Sequence, residues 1–278
     1  MALKEKHLKA LESGPRNALA LAVGQRDANT LLMVRRAIEH RETLLAFQPV
    51  VQAANPGEIA FYEGLIRVLD ETGRVIPARD FIAVVEDTEY GRLLDCIALE
   101  KGLAELARVP DLRLSINMSA RSIGYRKWMR VLSRGLSGDP TVAERLVLEI
   151  TEASAMTVPE LVVSFMRELQ KKGISFAMDD FGAGFTALRY LKDFSFDILK
   201  IDGQFTTGIA SDPDNQVLVT AIHAIAEQFD MFTVAERVET AEDMECLREI
   251  GIDCLQGYYF AAPTVRPPWR TRPDALTA

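Results

Sequence analysis

The sequence predicts an α/β protein built as a modified TIM-type (β/α)8 barrel whose first strand runs antiparallel to the rest. Three observations carry that prediction. Eight short apolar runs recur along the chain, most of them ending on an acid, an amide or a lysine. Helical patterns fill most of the intervals between them, and alternating strand and helix implies parallel neighbours. The first interval is the exception, because it is too short to hold a crossover helix.

Residues 1–30 are expected to form a helical extension or linker stub, 31–265 the barrel and 266–278 a flexible tail that opens on Arg266-Pro267-Pro268. Thr30 to Glu39 carries Leu31, Leu32, Val34, Ala37 and Ile38 near helical spacing, with Asp27 or Asn29 available as a cap, and is expected to pack against the barrel bottom. The first two runs, Leu44 to Gln48 and Ile59 to Glu63, are separated by Val51 to Glu58 with Asn55-Pro56-Gly57 in it. That interval is shorter than the dozen or so residues a parallel crossover needs, so the pair forms a hairpin and the start of strand one lies at the functional rim. A helical pattern at Leu93 to Ala107 leads to the run Leu112 to Asn117, and one at Arg121 to Leu136 leads to Leu146 to Glu149. Pro159 to Lys172 precedes Ile174 to Asp180, with proline at a first helical turn and Gly173 as a stop. Ala187 to Lys192 precedes Phe196 to Lys200, Asn215 to Phe229 precedes Phe232 to Glu236, and Ala241 to Ile250, stopped by Gly251, precedes Cys254 to Gln256.

With 278 residues, 48% of them hydrophobic, the chain can bury the single core of such a barrel, which uses about 250 residues. A net charge of −8 argues against a nucleic-acid polymer as partner, since that needs clustered cations to displace counterions. No apolar stretch approaches the roughly 20 residues of a membrane helix. Ala18 to Val23 is too short for a signal-peptide core and follows Glu5 and Glu12. Cys96, Cys246 and Cys254 are few, spread out and odd in number, which fits a reduced cytoplasm.

Strand ends of a barrel converge on one mouth, where its chemistry sits. Here that rim collects Glu63, Asn117, Glu149, Asp179, Asp180 and Glu236, with Lys200 as a lone cation. Carboxylates packed together raise one another's pKa unless cations intervene. A divalent metal, or a pair, resolves this, and an all-oxygen donor set favours Mg²⁺ or Mn²⁺ over zinc. The three histidines, His7, His40 and His223, fall on helical patterns and are read as structural or exposed. Carboxylate-held metals polarise phosphoryl oxygens and generate hydroxide near neutral pH, which points to phosphodiester hydrolysis.

At these residues the chain resembles the EAL-domain family, bacterial phosphodiesterases that open cyclic di-GMP to linear pGpG. The motifs are Phe47-Gln48-Pro49-Val50, Glu63-Gly64-Leu65-Ile66-Arg67, Asp80-Phe81-Ile82, Ser115-Ile116-Asn117-Met118-Ser119, Leu148-Glu149-Ile150-Thr151-Glu152, Asp179-Asp180-Phe181-Gly182-Ala183-Gly184-Phe185, Leu199-Lys200-Ile201-Asp202, Ala235-Glu236-Arg237-Val238-Glu239 and Gln256-Gly257-Tyr258. The resemblance implies that Glu63, Asn117, Glu149 and Asp179 hold a first metal, with Asp180 reaching a second and Asp179 bridging. It implies that Lys200 positions the attacking water, and that Glu236 is either general base or second-metal ligand. Arg67 should face a substrate phosphate, Leu65 should wall the pocket, and Gln256 should lie near the substrate. Glu152 and Glu239 are expected to support the loop from Asp180 to Phe185. The resemblance also implies cyclic di-GMP as ligand, Mg²⁺ or Mn²⁺ as cofactor with two ions, a homodimer, and a sensor or regulatory partner.

The sequence departs from the family pattern at several places. Gly64 replaces the alanine of the family's name and is expected to loosen strand two. Ala183 and Ala187 stand where hydroxyl residues are common, Arg237 interrupts the usual glycine, and Ala261-Ala262 replaces a polar pair. None removes an expected ligand. The alternative function is a non-catalytic cyclic di-GMP receptor that acts through a protein partner.

Overall fold

The computed structural model describes residues 18–184 and 191–271. Nine strands are present among them: β1 (Thr43–Gln52), β2 (Ile59–Leu69), β3 (Val75–Pro77), β4 (Leu114–Asn117), β5 (Leu146–Thr151), β6 (Ser175–Phe181), β7 (Ile198–Ile201), β8 (Phe232–Ala235) and β9 (Cys254–Leu255). The sheet runs β1-β9-β8-β7-β6-β5-β4-β2-β3, and β1 also pairs with β2, so eight strands close into a barrel. β1 is antiparallel to both neighbours, β2 and β9. The other pairs around the ring are parallel. The reversed first strand follows from the short hairpin, and Thr43 lies opposite Val68 near the end of β2.

The period of two along each strand sorts the barrel into layers. Val50, Phe61, Val147, Ala177, Ile198 and Val234 form an apolar plug inside it. Two residues toward the mouth on the same faces stand Gln48, Glu63, Glu149, Asp179, Lys200 and Glu236. The alternate positions, among them Phe47, Leu114, Ile116, Leu148, Phe176, Leu199 and Leu255, point outward into the main core beneath the helices. The same alternation therefore yields a dry floor and a polar mouth.

Three elements differ from the sequence-based expectation. β3 was not foreseen: β2 continues to Leu69, and a turn in which Asp70 Oδ1 accepts from Thr72 N (2.9 Å) and Arg74 N (3.0 Å) folds the chain back on it. The first described helix, Ala18–Glu39, is longer than foreseen and crosses the boundary placed at residue 30. Its Val34 and Ala37 pack with Val68, Ile76, Phe81, Val85 and Leu94, so it covers the mouth end of β2 rather than the barrel bottom. The 11-residue β2 runs on past its last pair with β4, Gly64 with Ile116, and its outer face there needs that cover. At the other terminus, where a flexible tail was expected, Pro268–Thr271 forms a helical turn. Trp269 sets its ring edge-on to Phe47 (5.1 Å) and Tyr62 (4.7 Å). The helix expected at 187–192 begins on residues outside the described ones.

The helix Glu89–Arg108 carries Asp95, whose Oδ2 accepts from Ser119 N (3.0 Å) and Ser122 Oγ (2.6 Å) and so ties down the loop after β4. Burial pushes this carboxyl up to about 6. A raised acid contributes stability that is fully present below its unfolded pKa, near 3.9, and lost as pH rises through the folded value. Asp95→Asn keeps an oxygen for both donors and removes the buried charge. It is expected to exceed the parent in stability by roughly 2 kcal/mol at pH 8 and to match it near pH 4. Melting curves at the two pH values check this; an equal gap at both would refute it.

Candidate active site

Lys200 is the hub of the mouth. Its ammonium is 1% exposed and sits at the end of the apolar β7 strand Ile198–Ile201. Nζ donates to Glu149 Oε2 (2.9 Å) and lies 2.7 Å from Glu236 Oε1, 2.8 Å from Asp179 Oδ1 and 3.5 Å from Glu63 Oε2. Asp179 Oδ1 meets the ammonium as an ion pair and has no hydrogen-bond partner. Glu149 Oε1 is likewise buried with no hydrogen-bond partner. Burial alone would depress the lysine, yet Asp179, Glu149, Glu236 and Glu63 hold its pKa well above the ordinary value.

One ammonium does not balance these acids. Burial first, then Glu63, pushes Glu149 up to about 8 against the pull of Lys200. Burial also raises Glu236 well above the carboxylate range. Asp180 rises to about 6 through burial and the adjoining Asp179. Uncompensated charge of this kind calls for a cation. Among the described residues Asp179, Asp180 and Glu236 form a triad whose carboxylate oxygens lie within 4.8 Å of one another. The all-oxygen donors and the orphaned oxygen of Glu149 fit a hard divalent ion.

A backbone irregularity makes the triad. In a regular strand Asp180 would point away from Asp179, into the helical layer. The β6–β7 register shifts between Met178 and Phe181, and Asp180 takes a positive φ of 55°. A bulge re-aims a side chain in this way.

Glu63 lies on β2 opposite Gln48 and beside Ser115. Asn117 Nδ2 donates to Glu63 Oε1 (2.7 Å), and Gln256 Nε2 donates to Glu63 Oε2 (2.6 Å). Gln48 was not singled out as a site residue, although it ends the first apolar run. It donates to Ala261 O (3.1 Å), and its Oε1 lies 3.3 Å from Gln256 Nε2, so it orients the amide that holds Glu63. Leu65 and Arg67 follow Glu63 on the same face, nearer the opening, and both are half-buried. Arg67 Nη1 donates to Ile66 O (2.9 Å). Glu152 Oε2 accepts from Gly182 N (3.0 Å), at the start of the loop it is expected to support. Glu239 is exposed and makes no hydrogen bond or ion pair among the described residues. Ala183 is exposed, while Ala187 and Phe185 lie outside the described residues.

Gly64 does not loosen β2. A methyl there would fall 2.6 Å from Ile116 Cδ1 and 3.2 Å from Ser115 O, and Ile116 also leans on Gly102. The isoleucine fills the space that alanine would claim. Gly64→Ala alone is therefore expected to destabilise the chain by roughly 1–2 kcal/mol through overpacking. Gly64→Ala with Ile116→Val should recover most of that loss in denaturant melts, and a single variant as stable as the parent would contradict the packing.

The chain matches the EAL domain over residues 32–263. It is 30% identical to a cyclic di-GMP phosphodiesterase, PdeB, of Shewanella oneidensis over 83% of its own length and 27% of that protein. It is 30% identical to the cyclic di-GMP phosphodiesterase PdeF of Escherichia coli over 83% of the chain and 31% of that protein. It thus spans about three-tenths of these relatives. Among solved structures, the PaMucR phosphodiesterase in complex with c-di-GMP aligns with a TM-score of 0.73 at 29% identity, covering 85% of this chain and 97% of that one. The FimX EAL domain from Pseudomonas aeruginosa, at 22% identity and a TM-score of 0.76, shares the fold, covering 85% of this chain and 96% of that one. With the barrel, its reversed strand and the ordered motifs around the mouth, these matches show that the chain belongs to the EAL domain family.

Proposed function

We propose that the chain is a metal-dependent phosphodiesterase that hydrolyses cyclic di-GMP to linear pGpG. The observation that carries this reading is the complete mouth: Lys200 among four carboxylates, an open triad beside it, and a buried Glu149 oxygen without a partner. Asn117, Glu63, Glu149 and Asp179 would hold one Mg²⁺ or Mn²⁺, and Asp179, Asp180 and Glu236 a second. Bound ions of this kind polarise a phosphoryl oxygen and lower the pKa of water.

The residues of the chain do the rest. Lys200 orients the attacking water and offsets charge on the phosphoryl oxygens. Arg67 presents a fork of donors to the phosphate at the opening. Leu65 gives the pocket an apolar wall, and Gln256 fixes Glu63. Glu236 either completes the ligand set of the second ion or takes a proton from the water. Attack at phosphorus forms the new P–O bond while the bond to the 3′ oxygen breaks. That oxygen leaves with a proton as a hydroxyl, and the product keeps its 5′ phosphate. Three cysteines free of disulfides fit a reducing cytoplasm, and no helix among the described residues is long and apolar enough to cross a membrane.

Incubation with cyclic di-GMP and Mg²⁺ or Mn²⁺, followed by chromatography, tests the reading. Metal-dependent pGpG is expected from the parent, with turnover lower by about a hundredfold or more in Glu63→Ala. Tight binding of cyclic di-GMP with no turnover would instead support the receptor function.

A further inference from the structure

The helix Ala18–Glu39 has two faces poor in charge, and the barrel uses one of them. Val34 and Ala37 are buried against Val68, Ile76, Phe81, Val85 and Leu94. On the opposite side Leu21, Gln25, Ala28 and Leu32 recur at helical spacing and form one stripe. All four are exposed, Leu21 by 51% and Leu32 by 60%. Arg26 and Asp27, the charges between them, project about 100° or more away from the stripe. From residue 20 to Asn29 every residue except Asp27 is exposed, so this half of the helix is an arm standing clear of the barrel. A helical arm of about three turns is marginal in water on its own.

The stripe leads into a groove. At Leu32 the helix and the turn after β2 enclose a cavity of about 780 Å³, lined by Leu32, Met33, Arg36, Glu71 and Thr72 among others. Its charges are settled within the chain. Arg36 pairs with Glu71, Arg35 Nε with Glu39 Oε1 (2.8 Å) and Arg74 Nε with Asp70 Oδ2 (3.1 Å). Stripe and groove are therefore a neutral surface on a chain of net charge −8. Copies of an acidic chain repel, and they meet most readily where each presents a surface without net charge. Single exposed leucines are ordinary, whereas an apolar stripe that runs into a groove marks a contact surface.

We propose that this arm is a self-association element: two copies of the chain pack their Ala18–Glu39 helices antiparallel about a two-fold axis, each arm seated in the other's groove. The axis passes between Arg26 and Asp27. Leu21 then meets Leu32 of the partner subunit and Gln25 meets Ala28 of the partner subunit, each contact being made twice. The antiparallel pair lays a slender arm into each groove, whereas parallel helices would set groove against groove and leave both unfilled. Each arm comes to rest against the turn after β2, the strand of Glu63 and Arg67. The inference concerns assembly and rests on neither metal nor turnover.

The test is sedimentation velocity of the full chain, without metal or nucleotide, from micromolar to submillimolar concentration. The parent should reach twice the 30.9 kDa of one chain. Leu21→Glu and Leu32→Glu should each raise the dissociation constant about tenfold or more, while Val23→Glu, which adds the same charge on the other side of the arm, should stay within about twofold of the parent. Unaltered far-ultraviolet circular dichroism in the three variants shows that the arm is still helical. Under oxidation the double variant Leu21→Cys with Leu32→Cys should give a covalent dimer above the parent background, and neither single variant should. A chain that stays monomeric throughout would overturn the proposal and leave the stripe to another segment or another protein. So would a dimer that Leu21→Glu and Leu32→Glu leave intact, since association would then use another face, or one that Val23→Glu weakens equally. Covalent dimers from the single cysteine variants would overturn the antiparallel pairing.

Discussion

Lys200→Met is expected to lower cyclic di-GMP turnover by about two to three orders of magnitude and to destabilise the metal-free chain by roughly 3–5 kcal/mol. Methionine keeps most of the buried stem and removes the ammonium that touches Glu149, Glu236, Asp179 and Glu63. Removal of one partner from a buried ion group leaves the others without compensation. The loss has a pH signature. Glu149, already pushed to about 8 by burial and Glu63, and Glu236, raised well above its ordinary value, answer the missing cation by holding protons. Acids raised in the folded state contribute stability at low pH and lose it as pH rises through the folded pKa. The gap between parent and variant should therefore widen from pH 6 to pH 8. Mg²⁺ should narrow it, because an ion that binds only the folded chain stabilises by mass action. Melting curves in EDTA and in Mg²⁺ at both pH values measure all of this. An unchanged melting temperature in EDTA would mean that Lys200 is not the hub of the mouth.

How much of this was legible in the sequence depends on which residue is asked about. The polar layer was legible because each strand repeats every two residues: an inward Ile198 requires an inward Lys200, and an inward Val147 an inward Glu149. The reversed first strand was legible from the length of one loop. What stayed hidden depends on contacts between distant segments. Nothing in Asp179-Asp180 announces the register shift that turns both carboxylates to the mouth. Gly64 reads as a lost methyl until Ile116, 52 positions on, is seen to fill its place. Arg237 reads as a substitution for glycine, and only its φ and its passage over Gly203 show that the backbone still demands the glycine conformation. Gln48 ends the first apolar run, but its part in orienting Gln256 needs both side chains in view.

The last described helical turn, Pro268–Thr271, closes over the first hairpin. A parallel crossover would have laid a helix over β1 and β2, but their hairpin leaves the outer face of Phe47 and Tyr62 bare. Residues after Pro263 supply the cover. Thr264 exchanges backbone hydrogen bonds with Phe47, 2.8 and 3.0 Å. Trp269 stands edge-on to both rings and donates its indole N–H to Glu105 Oε2 (2.9 Å), which Arg108 Nη2 also reaches at 2.7 Å. Arg270 bonds to the same carboxylate and lies 5.5 Å from the Phe47 ring centre. These pairings hold the Glu105 carboxyl below its ordinary pKa despite its burial. Trp269→Ala should lower stability by about 3 kcal/mol and the melting temperature by roughly 5–10 °C. Trp269→Phe, which keeps one aromatic ring and loses the pyrrole ring with its bond to Glu105, should lose less than Trp269→Ala. Because the hairpin that bares Phe47 also carries Gln48 and Glu63, turnover should fall more steeply with temperature in Trp269→Ala than in the parent. A melting temperature within about 1 °C of the parent would show that the segment merely rests on the barrel. A large loss would make it the missing helix of the first βα unit, supplied from the far end of the sequence.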